Sequence, residues 1–200
     1  LEDRVMVFPE LCHGCGACLL ACKEHYLRER PREVGTLRRG AADGVGFWSG
    51  VLDVGEPRAV PVIEGLLAAV SRSARGDDEL VVVDAPPGTS CNAVAVTRAA
   101  DLVLLVTEPT PFGLHDLKLA VGMCRALDRP MAVVVNRADL GHRHELDQWL
   151  GEQRIMICGE LSYSTAVARA YAAGRLAAAD NHEVREALET VINLTLGDIP

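Results

Sequence analysis

The chain has 200 residues, 49% apolar and 24% charged, the balance of an ordinary globular protein with room for one α/β core and a small appendage. Acidic residues outnumber basic ones 28 to 20 for a net charge of -8, which argues against nucleic acid or an anionic membrane surface as the main partner. No apolar run approaches the roughly 20 residues of a spanning helix and no signal peptide is recognisable, so a cytoplasmic protein with no membrane span is expected. Seven cysteines, an odd number with four of them clustered, fit a reducing compartment better than a disulfide framework.

Residues 1–33 have little periodicity and are rich in Cys, Gly and charge. They contain LCHGCGACLLACKEHY, in which Cys12, Cys15, Cys18 and Cys22 form a C-x2-C-x2-C-x3-C run. That spacing matches the bacterial ferredoxin pattern for a 4Fe–4S cluster. The chemistry needs soft anionic sulfurs on a tight loop, and Gly14 and Gly16 permit the positive-φ turns that let such a loop wrap a cubane. Zinc is the metal alternative, although zinc sites usually separate two cysteine pairs by a longer finger. In two-cluster ferredoxins the fourth cysteine of each run serves the other cluster, so Cys22 either closes this cluster or reaches a second. Lys23 stands where ferredoxins usually carry proline.

The segment GVGFWSGVLDVGEPRA is predicted as a hairpin or edge ribbon, with Phe47 and Trp48 packing beneath it. PVIEGLLAAVSRSA then reads as an amphipathic helix and ELVVVDA as a buried strand. The alternation continues through DLVLLVTE, GLHDLKLAVGMCRALD, PMAVVVNR, HELDQWLGE and RIMICGEL, strand and helix in turn. TAVARAYAAGRLAA and HEVREALETVINL are predicted as closing helices. Thr110 and Pro111 form a cap and first-turn pair for the helix they precede. Short apolar strands alternating with helices specify a mainly parallel sheet covered on both faces.

Asp84 ends the run LVVVD, and Ala-Pro-Pro-Gly-Thr-Ser follows. An acidic residue at the carboxyl end of a buried parallel strand is where P-loop NTPases hold Mg²⁺, and Gly88 can bring its backbone N–H close to a γ-phosphate. The plainer alternative is a strand-to-helix turn with a capping aspartate. Asn136 in VVVNRAD is placed to read a purine edge or simply to form a turn. A Gly-x4-Gly-Lys-Ser/Thr loop is missing: the two lysines are Lys23, after a cluster cysteine, and Lys118, inside a predicted helix. The 200 residues by themselves are therefore not expected to bind or hydrolyse ATP well. Cys91, Cys124 and Cys158 read as small buried thiols, His142 and His144 as solvent-facing loop residues, and His115 as a first-turn helix residue.

Taken together, LCHGCGAC, PREVGTLRRG, the FWSGVLDVGE ribbon, VDAPPGTSCNAV, LLVTEPTPFGLHDLKLAV, VVVNR and ARAYAAGR resemble the MinD-superfamily P-loop ATPases that carry an inserted ferredoxin domain. The resemblance implies an α/β fold of P-loop NTPase (MinD/ParA-like) type with a partial ferredoxin-like insert. Residues 1–33 would be the 4Fe–4S segment, 34–58 the return link and ribbon, and 59–200 an NTPase core without its Walker A unit. It places Leu1 inside the insert, with the ATP loop and a first cysteine run upstream, and one or two clusters, ATP and Mg²⁺ in the intact protein. It gives Asp84 the magnesium and switch role, Gly88 the γ-phosphate contact and Asn136 the base contact. It implies a homodimer that gates cluster chemistry by nucleotide state and works with a redox partner such as a ferredoxin or oxidoreductase. Leu161 and Ser162 replace the usual Ile-Pro pair, so no base contact carries over there. A non-catalytic electron-transfer module and an iron–sulfur carrier are the alternatives.

Overall fold

In a computed structural model, which describes residues 6–9, 11–12, 14–22, 26–73, 80–141 and 143–196, the chain divides into two units, Leu1–Asp84 and Ala85–Pro200. In the first unit the cysteine loop leads into one short helical turn, α1 (Ala17–Ala21). Strands β1 (Gly35–Ala42) and β2 (Val45–Leu52) then pair antiparallel, from Gly35 opposite Leu52 to Ala42 opposite Val45. Asp43 and Gly44 join them with φ of 52° and 81°, the positive-φ pair that an Asp-Gly hairpin turn favours.

Side chains alternate across the ribbon, so Leu37, Trp48 and Leu52 share one face and Val45, Phe47 and Val51 the other. Helix α2 (Val60–Ser73) packs on the first of these faces through Val62, which is buried. Trp48 is half-buried there, with the Arg39 guanidinium 5.0 Å over its ring. Phe47 does not pack beneath the ribbon as expected; its place one residue along sends it to the outer face, where it is exposed.

A second departure is ELVVVDA. Residues 80–86 form no strand, and Leu80, Val81, Val82 and Val83 are exposed. An apolar run becomes a strand only when neighbours complete its hydrogen-bond ladder, and no described strand pairs with this one.

The second unit follows the predicted alternation. Helix α3 (Cys91–Ala99) leads to β3 (Val103–Thr107), α4 (Pro111–Ala126), β4 (Met131–Asn136), α5 (Arg143–Gln153) and β5 (Ile157–Leu161). Helices α6 (Thr165–Ala172), α7 (Ala177–Asp180) and α8 (His182–Leu196) complete it. The strands are parallel in the order β3-β4-β5. Val133 and Val135 of β4 point to one face, where they meet Leu117 and Val121 of α4 and Leu146 and Leu150 of α5. Ala132, Val134 and Cys158 point to the other, where Val191 of α8 packs. The central strand β4 is covered on both faces, which is why it is a continuous apolar run. The expected cover of the whole sheet is not met: on the Ala132 and Val134 face, Leu104 and Val106 of β3 are 38% and 68% exposed, because among the described residues α8 packs over β4 and β5 only.

Local chemistry fixes the helix starts and stops. Thr110 Oγ1 accepts from the Gly113 N–H at 3.0 Å, with Pro111 in the first turn. A Cβ on Gly113 would stand 2.3 Å from the Glu108 carbonyl oxygen, so only glycine lets this turn sit so close to the end of β3. The predicted helix over TAVARAYAAGRLAA is split in two. Gly174 takes a φ of 69°, and the Arg175 N–H returns to the Ala170 carbonyl at 2.9 Å, closing α6 before α7 begins.

Candidate functional site

Gly14 and Gly16 have φ of 64° and 72°, the left-handed turns anticipated for a loop that must present several sulfurs. Gly16 leads directly into α1, and the Cys22 N–H closes the turn on the Cys18 carbonyl at 3.1 Å. Cys12, Cys15 and Cys18 are exposed, Cys22 is half-buried, and none of the four is in a disulfide. Among the described residues no three Cys, His, Asp or Glu side chains converge as a metal site. The donor set still fits an iron–sulfur cluster in kind: four thiols at ferredoxin spacing on one short segment. His13 and Lys23 lie outside the described residues.

The same unit holds a polar clamp. The Glu56 side chain is only 3% exposed and takes a fork from Arg58, Nε to Oε1 at 2.7 Å and Nη2 to Oε2 at 3.2 Å. Arg32 Nη2 also donates to Oε2. The hydrogen bond from Arg58 is the main reason that the Glu56 carboxyl falls from 4.5 to about 2; burial opposes it, and the Arg32 and Arg58 charges add to the lowering. Arg58 Nη1 also donates to the carbonyl oxygen of Cys12, tying the loop to a segment 46 residues away.

In the second unit, polar residues gather at the carboxyl ends of the parallel strands, where ligands of open α/β sheets bind. Asn136 ends β4, and its Nδ2 lies 3.5 Å from Glu108 Oε1, one residue beyond β3. Arg137 Nη1 stands 3.3 Å from the same carboxylate, and its guanidinium lies 5.8 Å from the centre of the Tyr163 ring. Beyond β5, the Tyr163 N–H donates to Asp139 Oδ1 at 2.6 Å, and the Ser162 N–H to Glu183 Oε1 at 2.8 Å. The latter bond holds the Glu183 carboxyl below its ordinary range. Glu108, Arg137 and Tyr163 were not anticipated; each stands within two residues of a strand's end, a positional signal the sequence does carry.

Of the residues expected to contact nucleotide, Asp84 is exposed and ends the first unit, while Gly88 and Asn136 belong to the second. Gly88 has a φ of 84°, a conformation that side chains rarely adopt. Cys124 and Cys158 are buried as expected, and desolvation raises both thiols. The Cys158 Sγ donates to the Val133 carbonyl at 3.4 Å, where the β4–β5 register slips by one residue. Cys91 is not buried; at the first position of α3 it points away from the side carrying Ala93, Val96 and Thr97. His115 and His144 are exposed, Lys118 lies over the Trp149 ring at 5.6 Å, and His142 lies outside the described residues.

No family model matches the chain. Over 136 residues it is 30% identical to a Methanocaldococcus jannaschii protein described as uncharacterized protein MJ0579, a stretch that covers 68% of this chain and 48% of that protein. Over 108 residues it is 33% identical to uncharacterized protein MJ0578 of the same organism, covering 54% and 38% respectively. The chain thus spans about half the length, or less, of these relatives. Among solved structures it is similar to the MinD cell division protein of Aquifex aeolicus, with a TM-score of 0.57 at 19% identity, over 72% of this chain and 65% of that one. The fold is therefore α/β, like that of this MinD protein. Among the described residues no helix is long and apolar enough to cross a membrane.

Proposed function

We propose that the chain is the iron–sulfur-bearing part of a MinD-type P-loop ATPase, in which nucleotide state is coupled to electron transfer or to control of a partner protein. The observation that carries this reading is the cysteine run at ferredoxin spacing, on a loop turned by Gly14 and Gly16 and free of disulfides, in a chain with a MinD-like fold. Cys12, Cys15, Cys18 and Cys22 would hold a 4Fe–4S cluster, Cys22 serving either this cluster or a second one. When bound, such a group supplies one-electron transfer. In the whole protein Asp84 would hold Mg²⁺ and act as the switch, Gly88 would meet the γ-phosphate through its N–H, and Asn136 would meet the base. Its amide would then exchange Glu108 for a purine edge. The proposal extends to a homodimer served by a redox protein such as a ferredoxin or oxidoreductase.

Iron and acid-labile sulfide analysis after anaerobic reconstitution tests it. The wild-type chain is expected to take up both in equal amounts and turn brown, and Cys15→Ser to lose most of the colour. A colourless, iron-free wild type, or one that takes up zinc alone, would overturn the reading. ATP turnover is a property proposed for the whole protein, since these 200 residues contain no lysine-bearing glycine loop.

A further inference from the structure

We infer that Arg58 is a positioning residue for the cysteine loop, pinning the main chain at Cys12 and fixing a positive charge beside that residue. The inference rests on the iron–sulfur reading above. A guanidinium is planar, so its direction is set once two of its donors are engaged. Here Nε and Nη2 are engaged by the two oxygens of Glu56, and the Arg58 backbone N–H adds a third bond to Oε1 at 3.1 Å. Glu56 is held in turn by Arg32, and its own N–H donates to the Asp53 carbonyl at 3.1 Å, just beyond β2. The remaining nitrogen of Arg58, Nη1, is thereby aimed at the Cys12 carbonyl oxygen.

Around Cys12 the main chain also makes local bonds. The Leu11 N–H reaches the Phe8 carbonyl at 3.0 Å and the Cys12 N–H the Pro9 carbonyl at 3.4 Å. The clamp therefore joins the first cysteine to the folded ribbon and helix. A second effect follows from charge. A fixed cation near a cluster favours its more negative, reduced form, and net charge and hydrogen bonding are among the terms that set cluster potentials.

The test compares wild type, Arg58→Gln and Arg58→Lys in the 200-residue chain, both iron-free and after reconstitution. In iron-free protein, hydrogen exchange across residues 12–22 is expected to quicken several-fold in both variants, while β1, β2 and α2 keep wild-type protection. In reconstituted protein, Arg58→Gln is expected to hold less cluster and to show a tenfold lower ratio of reduced to oxidised cluster at a fixed potential, equivalent to about 59 mV for one electron. Arg58→Lys, which keeps the charge but loses the fork, is expected to retain more of the potential than of the loop protection. Wild-type exchange and wild-type potential in both variants would overturn the inference and leave the cluster reading standing. A wild-type chain that takes up no iron or sulfide would overturn both. If Arg58→Gln fails to fold, Arg58→Lys decides alone: faster loop exchange supports the inference, and unchanged exchange overturns it.

Discussion

The two units are built on different physics. Ala85–Pro200 buries apolar side chains on both faces of a parallel sheet, with Val133, Val135, Val121, Leu146 and Leu150 each at most 1% exposed. In Leu1–Asp84 Val62, at 8%, is the buried apolar side chain among the described residues, and ionic contacts gather around Glu56. One unit is held by water exclusion, the other by a ribbon, a helix and a charged clamp that reaches Cys12. A segment with so little apolar burial gains more order from a bound metal group than a packed core does.

The comparison is broken most strongly by cutting into the packed unit. Leu146→Ala is expected to destabilise Ala85–Pro200 by roughly 2–5 kcal/mol, read by urea titration of reduced protein, because it leaves a cavity between α5 and β4. Iron uptake by the cysteine loop should survive under conditions where that variant stays folded. The first unit should respond to acid instead. Glu56 has a folded pKa of about 2 against an ordinary 4.5, so its stabilisation is complete above pH 4.5 and fades as pH falls towards 2. Exchange or near-UV signals from residues 26–73 should loosen over that window, and Glu56→Gln should flatten the dependence.

Smaller effects sharpen the contrast. Thr110→Ala removes the cap of α4 and is expected to cost about 1 kcal/mol, measured by the same urea titration. Arg143 bridges Asp147 and Glu160 on the surface of the second unit. Arg143→Ala should change stability by at most about 1 kcal/mol, and less in high salt, which would show that surface charge is minor there.

How much of this was legible depends on what each residue needed. The β3-to-β5 alternation was readable because every strand is an apolar run between amphipathic helices, and Thr110-Pro111 marked a helix start that the structure bears out. The run at 80–83 has the same texture, yet without a ladder neighbour it stays unpaired and exposed. Phe47 was misplaced because an alternating ribbon offers two faces and composition does not say which one meets α2. Cys91 is exposed rather than buried because a strand-to-helix turn specifies no face for the first residue of the helix it opens. The Glu56 clamp joins residues up to 46 positions apart, a pairing that no local pattern announces. The cysteine run, by contrast, is local, and the cluster proposed there rests on spacing that any reader of the sequence can see.

Electron paramagnetic resonance of the anaerobically reconstituted, chemically reduced chain puts the cysteine reading to the most direct trial. A signal typical of a reduced cubane, lost when Cys12, Cys15 or Cys18 becomes serine, is the predicted result. A silent, colourless sample in which the thiols bind zinc or nothing would contradict it.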